Sequence, residues 1–540
     1  MFCFSSCKQE NTVVDTVTPE SSPAMVEIAG ETLIGEVLDS TTGLSVFRGI
    51  PYGAPPVGAM RWRPPEPHLP RTGVQHATSF GPACPQLQGN TQFYQFVARQ
   101  LGQSPDLIPL MENISEDCLN LNVWSNNLNG KDKLPVMVWI FGGSNINGYA
   151  QEPEYNGYKL ASKGVVYVSL NYRVGALGYM AHEGLSAESE SGVSGNYGIL
   201  DQIAALKWVQ NNIEAFGGDP DNVTVFGESA GAANTVTLMA SPLAKGLFHR
   251  AISQSGGYPV DSFYTLDQAE DLGSKIARHL GLEDTDNPAK SIEGMRSLGW
   301  KAIVQGAVDS KAGYYNAVNV DGWLLPDALA TIYAQGLVNS VDLMIGANKN
   351  ENYPWVKQDA SETDLADFLQ TFESPYREEI EALLKKNPGF TPRLQIDRIG
   401  SAETFLCPSL YIAKNMADNA HKVKVYYFTR VRPGADTLLA YHGAEISYTH
   451  DSAYEWLPAN ETDLALTNDI GQYWINFATH GSPDGDSLPP WPDYTADMQQ
   501  FLELGKEIRP GKDLEAELCA IFDRIREAKR LTTGTNGSTP

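Results

Sequence analysis

Short apolar runs alternate along the chain with segments whose apolar residues recur every three or four positions. The runs Leu134–Phe141, Val165–Leu170, Val223–Phe226, Ala251–Ser253, Val341–Ile345 and Val423–Phe428 leave no polar face, so they predict strands buried on both sides. Between the second and third of these, Ile199, Ile203, Leu206, Val209, Ile213 and Phe216 fall at helical spacing, and the stretch GGDPDN then breaks the helix before the next strand. Such alternation predicts an α/β fold with a mostly parallel central sheet flanked by helices. The regions Asp261 to Val341 and Ser361 to Leu410 are helix-rich, as insertions built over the rim of one sheet would be. One large domain over residues 26–530 is therefore expected, after a polar N-terminal tether at 1–25 and before a disordered tail at 531–540, LTTGTNGSTP.

Composition narrows the partners more than the fold. With 540 residues, 42% of them hydrophobic, the chain can bury a large core. Its 65 acidic against 39 basic residues give a net charge of -26, which repels phosphate backbones and argues against a nucleic-acid partner. The acids are scattered, as on a solvated surface, and no apolar stretch approaches the ~20 residues that a membrane span requires. Near the N-terminus, Ser5-Ser6-Cys7 resembles the lipidation site of a bacterial lipoprotein, although only six residues precede Cys7. Cys7 is thus a candidate lipid anchor, and 1–25 a candidate export remnant.

Three features carry chemistry. After the third strand comes Gly227-Glu228-Ser229-Ala230-Gly231, then the helix-compatible AANTVTLMA. A strand that enters a helix through Gly-x-Ser-x-Gly is a nucleophile elbow: the turn is so tight that small residues must flank a serine held in strained backbone. A serine hydroxyl needs a base, and the base an orienting carboxylate, in the chain order Ser, acid, His. Among nine histidines His442 lies in a loop-like segment after the last strand, with His450 and His480 as downstream rivals and His249 nearer the elbow. Glu351 lies just beyond the strand Val341–Ile345, between Asn350 and Asn352, residues that tolerate left-handed turns. Finally, the first strand opens onto Gly142, Gly143, Ser144, Asn145 and Asn147, bare backbone and small polar groups.

Several stretches taken together resemble one family. FRGIPYGAPPVGAMRWRPPEP, SEDCLNLNVW, the long segment around GESAGA, AISQSGG, VDGWLLP, HGAEI and WINFATHGSPDG are similar, in order, to signature stretches of the type-B carboxylesterases. That α/β-hydrolase family includes para-nitrobenzyl esterases, fungal lipases and cholinesterases, and the resemblance runs from about Val26 to Ile525. It implies an α/β-hydrolase fold and a serine esterase of small-molecule esters with Ser229 as nucleophile, Glu351 as acid and His442 as base. It also implies an oxyanion hole from the N–H groups of Gly143, Ser144 and Ala230, where a bulky side chain would block the carbonyl. Glu228, Ser255 and Glu445 match a buried polar network behind the histidine. No metal or organic cofactor is called for.

The resemblance further pairs Cys84 with Cys118 and Cys407 with Cys519, and disulfides point to an exported protein. The family usually has Asp-Glu-Gly around its acid, where this chain has Asn350-Glu351-Asn352. A tryptophan that precedes the matching cysteine in choline esterases is absent from DLIPLMENISEDC, so a quaternary ammonium lacks its platform. Asn145, where relatives often carry an aromatic residue, suggests a more polar acyl site. Two alternatives are a relative that has lost catalysis and works in adhesion, and an amidase or lipase with the same three residues. The intact trio argues against the first.

Overall fold

The computed structural model describes residues 23–534 apart from 88–90, 129, 131, 262–263, 313–317, 387–388 and 453–455. Cys7, most of the expected tether and the last part of the expected tail lie outside them. The final helix, Ala516–Gly534, continues past position 531 into that tail.

A mixed sheet of thirteen strands organises the molecule. Its antiparallel side comprises β1 (Ala24–Ile28), β2 (Glu31–Asp39), β3 (Leu44–Pro51) and β5 (Asn120–Ser125), with a short β4 (Gly73–His76) paired parallel to β2. Then follow β6 (Leu134–Ile140), β7 (Val166–Leu170), β8 (Gly218–Glu228) and β9 (Arg250–Gln254). A separate two-stranded ribbon joins β10 (Tyr264–Thr265) to β11 (Asn319–Val320). The main sheet ends with β12 (Asp342–Asn348), β13 (Val423–Phe428), β14 (Gln500–Leu504) and β15 (Ile508–Lys512).

The spatial order is β1-β2-β3-β5-β7-β6-β8-β9-β12-β13-β14-β15, and from β7 to β14 every neighbouring pair is parallel. This is the mostly parallel sheet flanked by helices that the apolar runs predict. Val136, Val138, Val225, Ile252, Ile345 and other inward residues of these strands are fully buried, because helices cover both faces. The predicted helix is Tyr197–Asn212 with a tight turn Ile213–Phe216, ended by Gly217 at φ 78°. One difference concerns GGDPDN: its residues from Gly218 onward belong to β8, with a bulge between the pairs Leu134–Gly218 and Val136–Val223. The breaker residues occupy that irregularity.

From β6 the chain moves to β7 on one side, then returns to β8 on the other. That reversal leaves a crevice at the carboxyl ends of β6 and β8, the place where ligands bind in open α/β sheets. Ile140 and Gly227 are paired there, so the segments leaving the two strands emerge side by side. The predicted helical insertions are present. The second, from Glu362–Leu369 through Cys407–Asp418, builds a small core of its own with Leu518, Ile521 and Phe522 of the final helix.

Disulfides join Cys84 to Cys118 and Cys407 to Cys519, the pairing that the family resemblance implies. Among the described residues no helix is long and apolar enough to cross a membrane.

Candidate active site

Ser229 stands between β8 and the helix Ala230–Ala240 at φ 54°, ψ -122°, a region that side chains with a Cβ rarely adopt. The turn is held from outside, since Ser229 N–H donates to the Gln254 carbonyl at 2.8 Å. Its glycines are sterically required. A Cβ on Gly231 would lie 1.9 Å from the Ile140 oxygen, and one on Gly227 would lie 2.5 Å from the Gly231 carbonyl carbon. The sequence motif is thus the packing condition for bringing this helix against β6.

The loop after β6 lies on the elbow. A Cβ on Gly142 would come 2.8 Å from the Glu228 oxygen and 3.1 Å from Ser229 Cβ. Gly143, Ser144 and Asn145 all have positive φ, at 106°, 57° and 58°. Among the described residues, the N–H groups of Gly143, Ser144 and Ala230 have no protein acceptor. The Asn145 side chain does not face the crevice: it is 2% exposed and hydrogen-bonds Asn234. The polar acyl site expected from Asn145 is therefore not formed by its amide.

His442 and Glu351 meet at 2.6 Å through Nδ1 and Oε2. Glu351 is fully buried, and its other oxygen accepts from Ser255 Oγ at 2.5 Å and from Asn348 N–H at 2.6 Å. Bonded through both oxygens, the carboxylate is held in place against the imidazole. Asn350 and Asn352 do not use left-handed backbone; Asn352 has φ -94°. They anchor the turn instead, Asn350 Nδ2 donating to Asp397 at 2.8 Å and Asn352 N–H to Ser401 Oγ at 3.1 Å.

The remaining imidazole nitrogen of His442, Nε2, lies 3.3 Å from Glu228 Oε1, on the residue just before Ser229. Burial raises the pKa of Glu228 to about 8, with Glu445 and Glu351 adding to the rise and His442 opposing it. Burial also disfavours charge on His442, but Glu228 and Glu351 outweigh it and push the imidazole up to about 9. Both shifts have the same sense: the site holds protons more tightly than its separate groups would. Glu445, buried, accepts from Asn348 Nδ2 at 2.5 Å and Gln254 Nε2 at 3.2 Å, and burial raises its pKa. Glu228, Ser255 and Glu445 thus all surround the His442–Glu351 pair. Asn348 and Gln254 complete the network without any sequence signal, since a lone amide has no pattern to detect.

The rival histidines lie elsewhere. His450 packs edge-on against Trp139 at 4.5 Å between centroids, and burial lowers its pKa to about 3. His249 accepts from Val223 N–H at 3.2 Å near the start of the strand's apolar run, and His480 is exposed at a helix end. The imidazole of His442 is lined by aromatic rings, Phe405 at 4.8 Å and Trp355 at 5.9 Å, with Phe93 stacked on Trp355. Phe405 belongs to a π-helical turn, Ala402–Leu406, that the sequence pattern does not reveal.

Known proteins match nearly the whole chain. The sequence model of the carboxylesterase family matches residues 22–522. Carboxylesterase 1C of Mus musculus is 32% identical over 94% of this chain and 96% of its own length. Fumonisin B1 esterase of Sphingopyxis macrogoltabida is 33% identical over 93% and 90%. A medium-chain fatty acyl-CoA hydrolase precursor of Anas platyrhynchos is 31% identical over 90% and 88%.

Proposed function

Because the chain belongs to the carboxylesterase family, serine hydrolases that cleave carboxylic esters, we propose that Ser229, Glu351 and His442 are its catalytic triad and that Gly143, Ser144 and Ala230 form its oxyanion hole. The observation that carries this reading is the 2.6 Å bond between His442 and a fully buried Glu351 beside the Ser229 elbow. With Nδ1 committed to Glu351, Nε2 is the atom left to exchange a proton with the serine.

Ser229 Oγ attacks the ester carbonyl and gives its proton to His442. The carbonyl oxygen becomes an anion and receives the three backbone N–H groups that have no protein acceptor among the described residues. Collapse of the tetrahedral adduct expels the alcohol, which takes the proton from His442, and leaves an acyl-serine. Water then attacks with its proton passing to His442, and the acid departs as Ser229 regains that proton. Glu351 holds the imidazole in orientation and stabilises the imidazolium.

The Phe405 and Trp355 rings beside the imidazole favour an ester with an apolar acyl or alcohol group. Two disulfides support a place in an oxidising compartment outside the cytoplasm. The decisive experiment is Ser229→Ala. Turnover of a short-chain aryl ester should fall to a residual ~10³–10⁴-fold advantage over water with the fold intact, and an organophosphate should label the wild type at Ser229 but not the variant. Activity near wild type in Ser229→Ala would overturn the triad.

A further inference from the structure

We propose that Asn145 and Asn234 form a clamp that holds the oxyanion loop in register with the nucleophile helix, which makes both of them positioning residues for ester hydrolysis. The proposal rests on the oxyanion-hole reading above and concerns what fixes that hole.

The two amides pair reciprocally: Asn145 Nδ2 donates to Asn234 Oδ1 at 3.2 Å, and Asn234 Nδ2 donates to Asn145 Oδ1 at 2.9 Å. Both side chains are buried, 2% and 0% exposed, so no water competes for either bond. Their places in the chain explain the choice. Asn145 follows Ser144 directly, and Asn234 stands one helical turn after Ala230, on the same face. The pair therefore ties the neighbour of two oxyanion donors to the helix that supplies the third.

The loop has reason to need it. Two glycines make its backbone permissive, and Ser144 and Asn145 sit at φ 57° and 58°, a conformation that persists only where surroundings enforce it. Besides the amide pair, Gly175 N–H donates to the Asn145 carbonyl at 2.6 Å, and Tyr172 OH donates to the Phe141 carbonyl at 2.8 Å. These two fix the loop to the segment after β7. Among the described residues, Asn145–Asn234 is the side-chain pair that fixes it to the nucleophile helix. Donors that must meet a developing oxyanion tolerate little misplacement, so freeing the loop lowers turnover more than it lowers substrate binding.

The test compares Asn145→Gly, Asn234→Leu and the double variant, with Ser229→Ala assayed beside them. Glycine accepts φ 58° while deleting the amide, and leucine keeps the branched heavy-atom outline of asparagine without its polar atoms, at a larger volume. Each single variant breaks both bonds of the pair, leaving Asn234 without its partner in one case and Asn145 with only Tyr172 OH at 3.4 Å in the other, and should lose stability, whereas the double variant leaves neither amide and should recover Tm. We expect kcat for a short-chain aryl ester to fall about 10- to 100-fold in all three, with KM within about threefold of wild type. Affinity for a trifluoromethyl ketone, which forms an oxyanion on the nucleophile, should fall in the same proportion as kcat. Recovery of kcat together with Tm in the double variant would reduce the pair to a structural contact and overturn the clamp. So would wild-type kcat and ketone affinity in Asn145→Gly, which alone decides the matter if Asn234→Leu does not fold. An active Ser229→Ala would instead bring down the triad reading on which the clamp rests.

Discussion

Ser144 sits at φ 57° with no protein acceptor for its N–H among the described residues, and that φ sets what may replace it. Glycine adopts this conformation freely and keeps the N–H, so Ser144→Gly should retain most activity. Proline removes the N–H and fixes φ near -65°, incompatible with the loop, so Ser144→Pro should cost at least the ~10²–10³ in turnover typical of a lost oxyanion donor. Measurement of kcat in both variants checks this; a proline variant that folds and matches wild type would remove Ser144 from the hole. His442 yields a prediction of opposite character. As the proposed base His442 must be neutral, so activity should fall as pH drops through its pKa, which the neighbouring carboxylates raise from 6.5 to about 9. Glu228→Gln takes away a carboxylate 3.3 Å from Nε2, so the acid limb of kcat/KM should move to lower pH by roughly one unit. A limb that stays in place would mean that Glu228 does not control the imidazole. Ser229, Glu351 and His442 are legible in the sequence because motif and chain order mark them. Asn234, Asn348 and Gln254 are not, because their meaning lies wholly in tertiary contacts.

His450 shows how an element can bury a titrating group at a cost that appears only in acid. The short helix Ile446–Thr449 delivers its ring onto Trp139 of β6 and Phe226 of β8, where the neutral form alone is tolerated and the pKa falls to about 3. The unfolded chain binds that proton near pH 6.5 and the folded chain does not. Stability present above 6.5 is therefore lost as pH falls toward 3, by about 1.4 kcal/mol per pH unit. Urea unfolding of wild type and His450→Phe between pH 7 and 4 should give a shallower decline in the variant; equal slopes would refute the assignment. The same burial explains what the sequence reveals of the sheet. Strands covered on both faces read as continuous apolar runs, so β6, β7, β8, β9, β12 and β13 are all visible. On the antiparallel side β2 alternates instead, with every second residue buried through its first half, and β5 is buried throughout but carries Asn120, Asn122 and Ser125, so a search for continuous apolar runs passes over both.

At the scale of the whole molecule, two covalent links brace different spans. Cys84–Cys118 closes a separation of 34 residues and Cys407–Cys519 one of 112. On the chain-entropy account the longer loop restrains the unfolded state more, by about 1 kcal/mol. Replacing both cysteines of a pair by serine should therefore destabilise the protein more for Cys407 and Cys519 than for Cys84 and Cys118, as read by thermal or urea unfolding. The reverse order would show that local packing, not loop length, sets their worth. The longer link also has a meaning outside thermodynamics. Cys407 directly follows the turn that carries Phe405 to His442, and Cys519 lies in the final helix. A protease that cut the exposed turn at Lys506 would release nothing: the severed C-terminal piece would stay fastened to the wall of the active site, and the molecule would go on as two chains, wounded but whole.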